Sequence, residues 1–268
     1  MTEEVKVSTP QSLAELDSTL DVNKVKRKMI VSAKVICWDS KRRGIIVIFG
    51  NQIRGFIPED YISIYPSTDN GGIPSEATYI FNKKVIAEVV DYNNDKTEFT
   101  LSRVNAMKKR LQEIKSLETV TVCVTKVREK DMFVDLGAGI VGRVHYSELT
   151  RCYIEDIAYM GYHDGCIINL KIIDIQDNRV NLSRRRLYSE YDMSQINRGD
   201  IVKARILSEL TNPIATISST YAYCVEVNDD ANINGVIDAD IPLNKGDVIT
   251  CSVIRAVEKG VRLRLISI

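Results

Sequence analysis

The chain has 268 residues, 44% of them hydrophobic and 27% charged, with 36 basic and 36 acidic side chains. This composition is ordinary for a soluble globular protein, with one large domain or two to three small ones. No apolar run approaches the roughly 20 residues of a membrane span, and the polar first residues lack the apolar core of a secretory signal. These features predict a cytoplasmic protein that is not bound to a membrane.

The first third is predicted to contain a tail and a small β domain. Residues 1–23, with one basic and five acidic residues, are predicted to be a flexible acidic tail. In residues 24–102, short runs with alternating apolar residues predict strands. These runs cover residues 29–35, 44–50, 55–60, 85–91 and 99–102. Residues 61–80 form a long connection, which is either a contact loop or a tolerated insertion.

Residues 103–116 are predicted to form a helical linker. Four apolar residues recur at spacings of three and four, which is typical of one helix face. They are Val104, Met107, Leu111 and Ile114. Four basic residues lie away from this stripe, namely Lys108, Lys109, Arg110 and Lys115. The helix either packs on the barrel as a plain linker or also presents a basic surface to phosphates.

Residues 117–186 repeat the strand pattern in its clearest form. The runs cover residues 120–127, 131–137, 141–149, 164–174 and 179–183. Five short antiparallel strands in about 70 residues suit a small closed barrel, because closure removes the exposed sheet edges. Alternation favours Met132 and Val134 as the buried pair on the second strand, with Phe133 between them facing outward; the alternative is that Phe133 packs in the core.

The last third contains a weaker copy of the same pattern. Three arginines at 184–186 lead into a second linker, residues 187–198, and residues 199–268 form the third copy. The three copies predict an all-β fold of three tandem five-stranded barrels joined by short, partly helical linkers. They leave no room for a separate catalytic domain, so we expect no enzymatic activity.

Three segments of the middle copy resemble the S1 RNA-binding domain, an OB-fold module. They are residues 131–136, 142–149 and 179–183, which match the family pattern in order and spacing. The resemblance implies a single-stranded RNA site on one sheet face, with two aromatic residues, a histidine, an aspartate and an arginine. The matching positions are Lys130, Phe133, His145, Asp174 and Arg179. Lys130 departs from the pattern, because it replaces a stacking aromatic with a cation.

Further candidate RNA contacts lie beside these positions or in the other two copies. Lys126, Arg128 and Arg143 are neighbours of the middle site. The first copy loses both aromatics and the histidine but keeps charge at Arg43 and Arg54. The third copy keeps Tyr221 and Arg262 and is expected to bind RNA weakly or to contact protein.

The distribution of charge favours the first third as an electrostatic contact region. Residues 24–116 contain 17 basic and 10 acidic residues, a net charge of +7, although the whole chain is neutral. A local basic surplus of this kind attracts nucleic acid. The six cysteines are scattered without a Cys-x-x-Cys pair, which favours free thiols in a reducing compartment over a disulfide framework.

The resemblance implies a non-catalytic protein that binds single-stranded RNA, with messenger RNA in translation at the small ribosomal subunit as the expected target. Two alternatives stay open: an accessory factor in RNA processing, decay or transcription, and a protein-docking scaffold. No cofactor and no metal are expected, since the two histidines and the scattered cysteines match no zinc module.

Overall fold

A computed structural model describes residues 20–65, 72–188, 196–210, 221–257 and 260–268. Their strands close into three five-stranded barrels that follow one another along the chain. This confirms the predicted all-β class of tandem barrels. Neither of the two described α-helices is long and apolar enough to cross a membrane.

The first barrel is closed in the order β1-β2-β3-β5-β4. Its strands are β1 (Ile30–Asp39), β2 (Gly44–Phe49), β3 (Ile53–Pro58), β4 (Lys84–Tyr92) and β5 (Phe99–Ser102). Gly55 lets β3 and β5 approach closely, since a Cβ there would lie 2.9 Å from side-chain atoms of Val47 and Leu101. A larger residue here would therefore require the Val47 and Leu101 side chains to shift.

The structure corrects the predicted end of the acidic tail. Residues 1–19 lie outside the described ranges, but Leu20 is buried in the core of the first barrel. Asp21 caps a single 3-10 turn, Val22–Lys24, by accepting a hydrogen bond from the Asn23 N–H at 2.9 Å. Residues 20–23 therefore belong to the barrel, because burial of Leu20 stabilises them there.

The long connection between β3 and β4 contains a short helix, α1 (Ser75–Tyr79). Ile62, Ala77 and Ile80 of this connection are buried in the core of the first barrel. The part that the structure describes is thus packed against the barrel; residues 66–71 lie outside the described ranges.

The predicted linker segment contains the helix α2 (Arg103–Lys115). The Ser102 side chain caps it by accepting a hydrogen bond from the Asn105 N–H at 3.0 Å, which satisfies one of the free N–H groups of the first turn. The predicted apolar stripe is buried at Met107, Leu111 and Ile114.

The second and third barrels share the cyclic strand order of the first. The second contains β6 (Thr119–Val127), β7 (Asp131–Asp135), β8 (Val141–His145), β9 (Ile167–Gln176) and β10 (Arg179–Ser183). The third contains β11 (Ile201–Glu209), β12 (Tyr221–Val227), β13 (Asn234–Ala239), β14 (Val248–Val257) and β15 (Gly260–Ser267). Most of the predicted second linker, residues 189–195, lies outside the described ranges.

The chain forms two compact units. One contains the first barrel and α2, together with residues 136–141 and 177–179. The other contains residues 118–135, 142–176 and 180–268, and thus most of the second barrel and all of the third.

Candidate RNA interface

Phe133 stands on the outer face of the second barrel. Its neighbours on β7, Met132 and Val134, are fully buried, so the pleat of the strand turns Phe133 outward, where it is half-buried. This confirms the predicted alternation. Lys126 is its cross-strand neighbour on β6, and the Arg128 guanidinium lies over the Phe133 ring at 5.6 Å from the centroid. An aromatic ring flanked by two cations is suited to a base and its phosphate.

Lys130 lies between two tyrosines that the S1 pattern did not predict as site residues. Its ammonium group lies 4.7 Å from the ring centroid of Tyr146 and 5.4 Å from that of Tyr153. It also donates a hydrogen bond to the Ile154 carbonyl at 3.1 Å, which fixes its position. Tyr153 is 60% exposed. The aromatic surface lost at Lys130 is therefore supplied by residues from the segment after β8.

His145 belongs to the same end of the barrel. The Tyr146 N–H donates to the Lys130 carbonyl at 2.9 Å, which joins the ends of β7 and β8. The His145 ring lies 4.5 Å from the Tyr146 ring, and its Nδ1 is 2.8 Å from the Ser147 hydroxyl. Tyr146 could have been identified from the sequence, because it directly follows the predicted site residue His145.

The remaining predicted residues lie on β8, β9 and β10. Arg143 is half exposed and forms a salt bridge with Asp131 at 2.8 Å. Asp174 accepts a hydrogen bond from Asn181 at 2.6 Å, and Asn181 is the cross-strand partner of Arg143. Asp174 thus holds a neighbour of Arg143 in place. Arg179 is the first residue of β10 and is exposed.

The family model of the S1 RNA binding domain matches residues 114–185. This span contains all five strands of the second barrel and the surface around Phe133. The second barrel is an S1 RNA-binding domain.

Similarity to S1 proteins extends beyond this domain. The small ribosomal subunit protein bS1 of Staphylococcus saprophyticus is 24% identical over 214 residues, which cover 75% of this chain and 50% of that protein. The protein of the same name from Leuconostoc lactis is 26% identical over 162 residues, covering 57% of this chain and 35% of that protein. The chain therefore spans half or less of the length of these relatives.

One solved structure covers most of the chain. It is a multidomain protein with nucleic acid binding domains from Streptococcus pneumoniae TIGR4, which covers 90% of this chain and 74% of its own. It is 13% identical, and the TM-score is 0.29.

The first barrel differs from the S1 domain on the matching face. Arg43 forms two hydrogen bonds with Glu59 at 2.6 and 2.8 Å, and Arg54 forms a salt bridge with Glu98 at 3.2 Å. Phe56, a further aromatic that the alignment missed, lies under the guanidinium of Arg42 at 4.2 Å. Both predicted RNA contacts of this barrel are thus engaged by carboxylates, in exposed pairs that cost little to open.

The third barrel uses its matching face to contact the S1 domain. Cys224 occupies the position of Phe133, since its neighbours Tyr223 and Val225 are buried in the barrel core. The Cys152 thiol donates to the Val225 carbonyl at 3.1 Å, and the Ser208 hydroxyl donates to the Tyr153 carbonyl at 3.0 Å. The segment after β8 of the S1 domain therefore lies against β11 and β12.

A buried ion pair fixes this contact. Arg184 donates two hydrogen bonds to Glu226 at 2.9 and 3.0 Å, and these residues are 4% and 1% exposed. Arg184 also donates to the carbonyls of Leu149 and Asp229, at 3.1 and 2.5 Å. Burial lowers the pKa of Arg184, but its bonds to Glu226 outweigh burial, so the pKa lies above its ordinary value. Arg184, which the sequence suggested was part of a basic lead into a linker, is a structural residue.

The two predicted RNA contacts of the third barrel lie apart from this buried pair. Arg262 donates two hydrogen bonds to Asp238 at 2.8 and 3.2 Å. Tyr221 is half-buried and stacks at 6.4 Å on Tyr223. A paired arginine and a packed tyrosine offer less to a ligand than the corresponding groups of the S1 domain.

Proposed function

We propose that this protein binds single-stranded RNA without catalysis, and that it holds messenger RNA during translation at the small ribosomal subunit in the cytoplasm. The observation that carries the proposal is the outward ring of Phe133 beside Lys126 and Arg128 in an S1 RNA-binding domain. The ribosomal role is supported by the names of the bS1 relatives, of which this chain spans half or less.

Binding would combine stacking and phosphate contacts. Phe133 and Tyr153 present ring faces on which bases can stack, each contributing about 1–3 kcal/mol. Lys126, Arg128 and Arg143 provide positive charge along the same barrel. A paired base hides its faces in the duplex, so this surface favours single strands.

The test is a titration of fluorescently labelled single-stranded RNA at about 50 and 200 mM salt, with duplex RNA as competitor. We expect binding that weakens steeply between the two salt concentrations and that the duplex does not displace. Absence of binding at either concentration would overturn the proposal.

The ribosomal part of the proposal needs a separate experiment. Sedimentation of the tagged protein from a cell extract should place it with small ribosomal subunits in a manner that depends on added messenger RNA. Co-sedimentation with a nuclease or a polymerase in place of ribosomes would favour an accessory role in RNA processing, decay or transcription.

A further inference from the structure

A row of exposed side chains crosses the outer surface of the first barrel. Lys84 on β4 is the cross-strand partner of Lys34 on β1, and Lys34 is also paired with Ile48 on β2. Both lysines are exposed, whereas the adjacent Val35 and Val85 are buried in the barrel core. The pleat therefore directs both ammonium groups away from the barrel.

The positive charges of this row have no carboxylate partner among the described residues. Like charges placed directly opposite each other on two strands repel. Within the described ranges, neither Lys34 nor Lys84 has a carboxylate within salt-bridge distance, whereas Arg42, Arg43 and Arg54 each have one. The β1–β4 side therefore carries two adjacent lysines without an ion pair in the described ranges, whereas Arg43 and Arg54, on the face that matches the S1 site, are each paired with a carboxylate.

The β3–β4 connection adds an aromatic ring to the same edge. Tyr79 at the end of α1 is 74% exposed, and the Lys83 ammonium lies 3.5 Å from the centroid of its ring. The Lys83 carbonyl accepts a hydrogen bond from the Val35 N–H at 3.0 Å, which places Lys83 beside β1. An exposed ring and a third cation therefore border the lysine row.

We infer that Lys34, Lys83, Lys84 and Tyr79 form a second binding surface for single-stranded RNA, which contacts phosphates with the lysines and a base with the tyrosine. An acidic protein would match the charge alone, whereas a single strand matches both the cations and the exposed ring. The surface lies on the first barrel, whereas Phe133 belongs to the second, and its assignment to RNA rests on the proposed function. It also gives the β3–β4 connection a role as a contact loop.

The test uses the full chain and two double variants, all four of whose substitutions are at exposed lysines outside the barrel core. The double variant Lys34→Gln/Lys84→Gln removes the row, and Lys24→Gln/Lys26→Gln removes equal charge from exposed lysines elsewhere in the barrel. Labelled single-stranded RNA is titrated over a range of salt concentrations. Each lost phosphate contact lowers the magnitude of the slope of log affinity against log salt by about 0.7. The slope should therefore fall by about 1.4 in Lys34→Gln/Lys84→Gln and by clearly less in the control variant.

A third variant tests the ring. Tyr79→Ala should weaken binding at least about fivefold without changing the salt slope, because stacking involves no phosphate charge. Thermal unfolding checks the fold: Lys34→Gln/Lys84→Gln removes a repulsion, so its midpoint should be unchanged or higher.

Phe133→Ala, measured in parallel, separates this inference from the proposed function. If Phe133→Ala weakens RNA binding but Lys34→Gln/Lys84→Gln binds with the affinity and salt slope of the wild type, only the inference is overturned. That result would favour an acidic protein as the partner of the lysine row. The reverse pattern would overturn the proposed role of Phe133 and leave the lysine surface. Equal losses for the lysine variant and its control would also overturn the inference, because they would reflect bulk charge.

Discussion

In the second barrel, Phe133 faces outward from β7 beside two cations, whereas in the third barrel the matching residue on β12 is Cys224, next to the Cys152–Val225 contact with the S1 domain. Both residues lie between two buried neighbours in strands of the same cyclic order. The backbone thus offers the same outward position twice. Side chains decide whether it stays open to a ligand or becomes an interface between barrels.

The largest effect is expected from Glu226→Ala, which disrupts the interface between the second and third barrels. The substitution leaves Arg184 buried without its carboxylate, and loss of one partner of such a pair costs about 3–5 kcal/mol of unfolding free energy. Urea unfolding followed by circular dichroism measures the loss. The fluorescence of Trp38, the single tryptophan, should report an unchanged transition of the first barrel.

A matched control comes from the partly exposed ion pair of the third barrel. Asp238→Ala removes the partner of Arg262, which is 35% exposed, and should cost only about 0–1 kcal/mol. The double variant Arg184→Met/Glu226→Met should recover much of the stability lost in Glu226→Ala, because no buried charge remains. Equal losses for Glu226→Ala and Asp238→Ala would contradict the structural role of the buried pair.

Phe133→Ala tests whether the outward position on β7 binds RNA. Loss of one stacking platform should weaken single-stranded RNA binding by about 1–3 kcal/mol, or roughly 5- to 150-fold. Cys224→Ala, the same position in the third barrel, should leave the affinity unchanged. Circular dichroism melting should show little loss of stability in Phe133→Ala; unfolding of the S1 domain in this variant would mean that Phe133 is a core residue.

Tyr153 takes part in both the candidate RNA surface and the contact with the third barrel. Its ring is exposed, while its carbonyl accepts a hydrogen bond from the Ser208 hydroxyl. Tyr153→Ala removes the ring and keeps the carbonyl. We expect RNA affinity to fall by about 1 kcal/mol, or roughly fivefold, with the interface intact. Tyr159→Ala, a half-buried tyrosine of the same segment whose ring lies 5.6 Å from Lys245, is the control and should bind RNA normally.

The smallest effects are expected from single arginines. Arg128→Gln removes a cation above Phe133 and should lower the slope of log affinity against log salt by about 0.7. Arg262→Gln should change the slope by much less, because its charge is already engaged by Asp238. Equal changes in the two slopes would show that the third barrel contributes to RNA binding as much as the S1 domain does.

The sequence predicted the strands well, since alternation of apolar residues depends only on which side of a strand is buried. β5 and β10 begin and end where the pattern placed them, and α2 ends one residue earlier than predicted. The resemblance to the S1 family also predicted that Phe133 and His145 belong to one site, and their role in RNA binding stays a prediction.

The contacts of the third barrel could not be predicted in the same way. Arg184 and Glu226 are 42 residues apart, and three consecutive arginines are typical of an exposed linker. Tyr153 was missed because it lies in an irregular segment, where no period indicates which side chains point outward. These contacts depend on how two barrels pack, which strand patterns do not specify.

The most direct test of the contrast between β7 and β12 is thiol labelling of the Phe133→Cys variant, resolved by mass spectrometry of its peptides. We expect the thiol introduced at position 133 to react readily and to be protected by single-stranded RNA. Cys224, which is partly buried beside the Cys152–Val225 contact, should react more slowly and should not be protected by RNA. Ready labelling of Cys224 in the native protein, with RNA protecting Cys224 and not position 133, would show that the third barrel and not the S1 domain presents the open position.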